Sequence, residues 1–175
     1  MNTANKPDNM PDHCDVAIVG GGLVGASLAL ALQPSALQVA LIEPQAPAAA
    51  PVDGAWDSRV YAISPGNAAF LQDLGVWSRL DPQRVQRVET MAIAGDRRDS
   101  RLQFSAYDAG LPELAYIVES GAMQRAMLEV IADSNGIRMI CPAQAAGLAI
   151  SEQSAQITLA DGASLDAQLV VGTDG

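Results

Sequence analysis

The chain has 175 residues, half of them hydrophobic (49%) and few aromatic (4%), and 20 Asp and Glu against 10 Lys and Arg give it a formal charge of −10. This supports one domain-sized core, or one with part of a second. The acidic balance leaves no basic footprint for nucleic acid or anionic lipid. No apolar run approaches the ~20 residues of a membrane span, and the polar N-terminus has no apolar signal core, so the chain reads as cytoplasmic.

Residues 1–14 read as a disordered lead-in that holds the only histidine, His13, as a solvated side chain. The two cysteines, Cys14 and Cys141, are too far apart in sequence to form a disulfide framework or a metal pattern, so both read as reduced and structural. Asp15-Val16-Ala17-Ile18-Val19 predicts a strand buried in a parallel sheet. After the glycines at 20–22, the Ala- and Leu-rich stretch 26–32 predicts a helix that Pro34 ends. Residues 39–42 predict a second buried strand, completing a βαβ unit with a right-handed crossover.

Residues 44–57, rich in Pro and Ala, read as an exposed connection. A strand is expected over 59–63, then a helix capped by Ser64, opened by Pro65 and closed by Gly75. The apolar runs 88–94, 102–104 and 116–118 predict strands. Residues 121–133 predict a helix closed by Asn135-Gly136, with Met123 and Met127 on its core face. A strand is expected over 137–140, and 156–159 and 165–171 predict a hairpin turned at Asp161-Gly162.

Gly20-x-Gly22-x-x-Gly25 lies between the first strand and its helix, and Glu43 answers it at the end of the second strand, 23 positions after Gly20. Gly20 suits the tight turn, Gly22 the close approach of a pyrophosphate, and Gly25 close helix–strand packing. The helix N-terminus, with Leu23 and Val24, offers N–H groups to phosphates. Glu43 can accept hydrogen bonds from ribose hydroxyls and would repel a 2′-phosphate, which excludes NADP from this site. The fingerprint alone does not choose between NAD and FAD.

Four stretches do choose. The sequences 16–25, Asp57-Ser58-Arg59 to Ser64 with 74–77, Tyr116-Ile117-Val118-Glu119 with Gln124, and 169–175 together resemble the flavin-dependent hydroxylases of ubiquinone biosynthesis, the UbiH/UbiF/VisC type. These belong to the wider group resembling 4-hydroxybenzoate hydroxylase. The similarity covers residues 15–175; Ser120 stands where relatives commonly carry Asn.

The resemblance implies a Rossmann-like α/β FAD-binding domain over 15–175, with 85–110 contributing to a substrate-binding sheet. It implies FAD as the cofactor, with Arg59, Gln124 and Asp174 beside it. Relatives use the reduced flavin to activate O2 for hydroxylating an electron-rich ring, with NAD(P)H as electron source and a polyprenylated phenol or benzoquinol as substrate. No residue here is nominated as an acid or base, and no metal is expected.

The family continues beyond the point matched by Gly175. The chain therefore reads as a truncated product or part of a longer protein, inactive alone. Two other readings stay open: an FAD-dependent oxidoreductase without oxygen insertion, and an inactive FAD-binding remnant.

Overall fold

The computed structural model describes residues 13–46, 54–97 and 100–173. In chain order the elements begin β1 (His13–Val19), α1 (Leu23–Leu32), β2 (Val39–Ile42), β3 (Val60–Ile63), α2 (Pro65–Asp73), β4 (Val85–Val88), β5 (Thr90–Ala94) and β6 (Arg101–Ser105). They continue β7 (Ala115–Glu119), α3 (Ser120–Ala132), β8 (Ile137–Ile140), β9 (Ala145–Ile150), β10 (Ala155–Leu159) and β11 (Ser164–Gly172). The chain divides into two compact units, Met1–Ala48 with Met127–Gly175, and Ala49–Ala126.

The first unit is built on a six-stranded sheet in the order β8-β2-β1-β11-β10-β9. The pairs β8–β2, β2–β1 and β1–β11 are parallel, and β11–β10 and β10–β9 antiparallel. All four residues of β2 are buried, and Ala17 and Ile18 of β1 have no exposed surface. Strands covered on both faces read as unbroken apolar runs, which is why 15–19 and 39–42 were legible.

Several boundaries differ from expectation. β1 begins at His13, with Cys14 buried, so these two residues belong to the sheet; residues 1–12 of the expected lead-in lie outside the described residues. Burial pushes the Cys14 thiol up to about 11, which keeps it protonated at neutral pH. Helix α1 starts at Leu23, and Pro34 sits inside a 3-10 turn, Gln33–Ser35, that extends it. At the start of such a turn proline gives up no needed donor. β9 was not anticipated: an Ala- and Gly-rich segment without alternation carries no strand signal, and its pairing with β10 alone makes it one. β11 is a single nine-residue strand, entering as a hairpin arm against β10 and leaving parallel to β1.

The second unit holds the antiparallel sheet β3-β7-β4 and the two-stranded ribbon β5-β6. The apolar run 88–94 is broken at Glu89: Val88 pairs with Ala115 of β7, and Thr90 with Ser105 of β6. One expected strand thus becomes two, because its partners differ on either side of that residue. Helix α2 follows expectation, with the Ser64 hydroxyl accepting from the Asn67 N–H at 3.2 Å, Pro65 in its first turn and Gly75 beyond its end at φ 75°.

Candidate functional site

In the first unit the sequence motif closes into a cradle. Gly20 adopts φ 108°, a region strained for residues with a side chain. Its N–H donates to Ile42 O at 2.8 Å, tying the turn to β2. Gly25 is buried against it so closely that a Cβ would lie 1.9 Å from Gly20 O and 2.6 Å from Thr173 Oγ1. At Gly22 the reverse holds: a Cβ would meet nothing within 4 Å. The first and third glycines of the motif thus shape and pack the turn, and the middle one faces open space.

Gly22 caps α1 without a side-chain hydrogen bond, and no acidic residue occupies the first turn. Ala26 is the donor to Gly22 O, at 2.9 Å. The N–H groups of Leu23, Val24 and Gly25 precede it and lack the i−4 carbonyl of a helix interior, so they are available to an anion at the positive end of the helix dipole.

Glu43 follows β2. Its Oε2 accepts from the Gly21 N–H at 2.6 Å and its Oε1 from the Gln45 N–H at 3.0 Å. A carboxylate has about four acceptor positions, so two remain for hydroxyl donors. A cavity of about 420 Å³ opens beside it, lined by Gly20, Gly22, Glu43, Gln45, Gln144 and Thr173 among others. An open middle glycine, free helix N–H groups and a carboxylate with spare acceptors fit the pyrophosphate and ribose of a dinucleotide.

Sequence reasoning missed Thr173. Its N–H donates to Val19 O at 2.8 Å, and its hydroxyl sits 3.0 Å from Val19 O and 2.8 Å from Gly20 O, bracing the turn from β11. Asp174 lies outside the described residues.

The second unit contains Arg59 and Gln124. Arg59 precedes β3 with an exposed side chain, and Gln124 is half-buried in α3 between the buried Met123 and Met127. Asp57, read above as part of the same motif as Arg59, is engaged by backbone: Oδ1 accepts from the Arg59 N–H at 2.9 Å and Oδ2 from the Gly121 N–H at 3.0 Å. Those two hydrogen bonds are the main reason its carboxyl is held below the usual range. At Ser120, where relatives differ, the backbone N–H donates to Arg59 O at 2.9 Å.

Glu119, 2% exposed, forms a two-point pair with Arg84: Oε1 accepts from Nε and Oε2 from Nη2, both at 2.8 Å. Chiefly through this pair, Glu119 is held below its ordinary value and Arg84 above its own. No period or spacing marks Arg84 in the sequence: it stands in a Pro-Gln-Arg turn, 35 positions from its partner.

A parallel βαβ sheet, a glycine turn at a helix N-terminus and an acidic residue closing the second strand define a dinucleotide-binding fold. Comparison with known proteins gives the family. Residues 15–171 match the model of the FAD dependent oxidoreductase family, and the chain belongs to it.

Among curated relatives, 3-demethoxyubiquinol 3-hydroxylase of Escherichia coli is 32% identical over 92% of this chain and 41% of its own length. Ubiquinone hydroxylase UbiL of Rhodospirillum rubrum is 31% identical over 92% of this chain and 37% of its own. A solved structure of Pseudomonas aeruginosa PqsL superposes with a TM-score of 0.75 at 22% identity, covering 93% of this chain and 43% of that one, which shows the shared fold. The chain thus spans about two fifths of the length of the curated relatives it matches. No helix among the described residues is long and apolar enough to cross a membrane.

Proposed function

We propose that the chain is the FAD-binding, N-terminal portion of a monooxygenase that hydroxylates the aromatic ring of a polyprenyl phenol or benzoquinol in ubiquinone biosynthesis. NAD(P)H is the reductant and O2 the oxidant. The observation that carries this reading is the 32% identity to a quinol hydroxylase over 92% of the chain, which includes the entire glycine turn and Glu43.

In this reading Gly20 and Gly25 shape the turn, and Gly22 admits the pyrophosphate to the N–H groups of Leu23, Val24 and Gly25. Glu43 takes the adenosine ribose hydroxyls. Arg59, with its planar set of donors, Gln124 and Asp174 approach the cofactor elsewhere along its length. Bound FAD supplies the redox chemistry: two electrons from NAD(P)H and one O2 yield a hydroxylated ring and water.

Residues 85–110 contribute to the substrate surface. The ribbon supports this, since the pairs Met91–Phe104 and Ile93–Leu102 place four apolar side chains on one face, each 38–53% exposed. A cytoplasmic location completes the reading, where NAD(P)H is at hand and the free thiols of Cys14 and Cys141 stay reduced.

The test is the absorbance spectrum of the purified protein, then NAD(P)H oxidation with and without a short-chain quinol under isotope-labelled O2. The expected result for the protein that spans the relatives' whole length is bound flavin, quinol-stimulated oxidation and label in the product. Flavin with oxidation but no label would replace the proposal with a non-oxygenating oxidoreductase. Absence of flavin would leave a remnant. The 175-residue chain alone is expected to hold flavin weakly and form no product.

A further inference from the structure

We propose that Arg84 is a positioning residue that sets the geometry of both Arg59 and the N-terminal turns of α3. The proposal rests on the reading that Arg59 and Gln124 face the cofactor. All three guanidinium nitrogens of Arg84 are engaged. Besides the pair with Glu119, Nη1 donates to Gly54 O at 3.0 Å and Nη2 to Ala55 O at 2.8 Å. The Trp56 ring lies against the guanidinium, 4.3 Å from its carbon to the ring centroid. Arg84 thus holds three consecutive residues, 54–56, just before the motif that contains Arg59.

The contacts continue inward from Glu119. Its Oε2 also accepts from the Asp57 N–H at 2.8 Å. Asp57 in turn receives the N–H of Arg59 and the N–H of Gly121, and Arg59 O receives the N–H of Ser120. Every step is a hydrogen bond between 2.8 and 3.0 Å, so Arg84, Glu119 and Asp57 form one connected path. One branch ends at the Arg59 backbone, and the other at the start of α3, one turn before Gln124. The path joins two of the sequence motifs that the fold brings together.

Arginine is needed for geometric reasons. Two parallel N–H groups meet both oxygens of Glu119 while others reach two carbonyls, a planar pattern that an ammonium cannot reproduce. Removing Arg84 would leave a buried carboxylate without its charged partner. Asp57 would then lose the fixed anchor for its own N–H, and the orientation of Arg59 and α3 would loosen together.

The test measures FAD affinity and the bound-flavin spectrum in the full-length protein for Arg84→Met, Arg84→Lys, Glu119→Gln and the double variant Arg84→Met/Glu119→Gln. Leu71→Ala, a buried change in α2 that removes none of the hydrogen bonds of this path, controls for lost stability. Arg59→Ala and Gln124→Ala test the underlying reading. Arg84→Met is expected to weaken FAD binding about tenfold in the folded fraction and to shift the flavin bands. Lysine should not restore binding, and the double variant should be no weaker than the worse single one, since both changes break one path.

Parental affinity in Arg84→Met alongside a loss in Arg59→Ala would overturn the proposal and leave the reading standing. Silence of both Arg59→Ala and Gln124→Ala would remove the reading and the proposal together. An equal loss of affinity in Leu71→Ala would make the role of Arg84 purely structural, which also overturns it. Should Arg84→Met fail to fold, Arg84→Lys carries the same comparison: parental affinity and spectrum there refute the need for the planar fork.

Discussion

Gly25→Ala isolates the packing role of the motif's last glycine. The added methyl would stand 1.9 Å from Gly20 O, where an ordinary C···O contact needs roughly 3.3 Å, so something must move by about 1.4 Å. Neither side yields easily. Gly20 is held by its hydrogen bond to Ile42 O and by the Thr173 hydroxyl, and α1 is wedged by Ala26 and Ala29, both without exposed surface. Overpacking against backbone costs about 3 kcal/mol, at the upper end of the usual range.

The better helix propensity of alanine returns at most ~1 kcal/mol, which leaves a net loss of about 2 kcal/mol. That lowers the melting temperature by roughly 4–8 °C for a chain of this size. Thermal unfolding followed by circular dichroism, without added flavin, reads this directly. A variant melting within about 1 °C of the parent would show that the turn gives way freely, and the packing argument would be wrong.

Gly22→Ala gives the opposite pattern. Its φ of −67° suits any residue and the space before it is open, so apoprotein stability should stay within about 0.5 kcal/mol of the parent while FAD affinity falls. Equal FAD binding would move the pyrophosphate elsewhere. Glu43→Ala should cost ~1.5–3 kcal/mol of FAD binding, roughly 10- to 150-fold, as a charge-assisted hydrogen bond is lost; unchanged affinity by titration would remove Glu43 from the site. Arg59→Lys keeps the charge and loses the planar fork, so flavin retention through gel filtration should drop, and full retention would refute a shaped contact.

Acid stability reports on Glu119. Because its folded pKa lies below the ordinary 4.5, the stability it contributes is present above that value and lost as pH falls below it toward the folded value. Glu119→Gln should therefore flatten the fall in melting temperature on the acid side of about 4.5. Identical acid limbs in parent and variant would show that Glu119 does not govern it.

What could be read from the chain was local. Residues 15–43 carry strand, glycine turn, helix and strand within one short stretch, and each piece rests on its own composition: β-branched residues for the strands, Ala and Leu for the helix, glycine where φ turns positive or backbones meet. That stretch predicted the glycine turn that the structure closes against β2, with Glu43 beside it accepting from the Gly21 N–H, and the nucleotide role proposed above rests on that geometry. Ser64-Pro65 and Gly75 marked the ends of α2 for the same reason, since caps act on the residues beside them, whereas α3 ends at Ala132 and Asn135-Gly136 forms the bend that leads into β8.

Tertiary structure decided the rest. Glu89 divides the single strand expected over 88–94 because Val88 and Thr90 find partners on different strands, and β9 exists only through its pairing with β10. Thr173 braces a turn 153 positions away, and Arg84 binds Glu119 across 35. Hydrogen bonds between residues so far apart leave no period or spacing in the sequence. They arise when the sheet aligns its strands and burial obliges each polar group to find a partner.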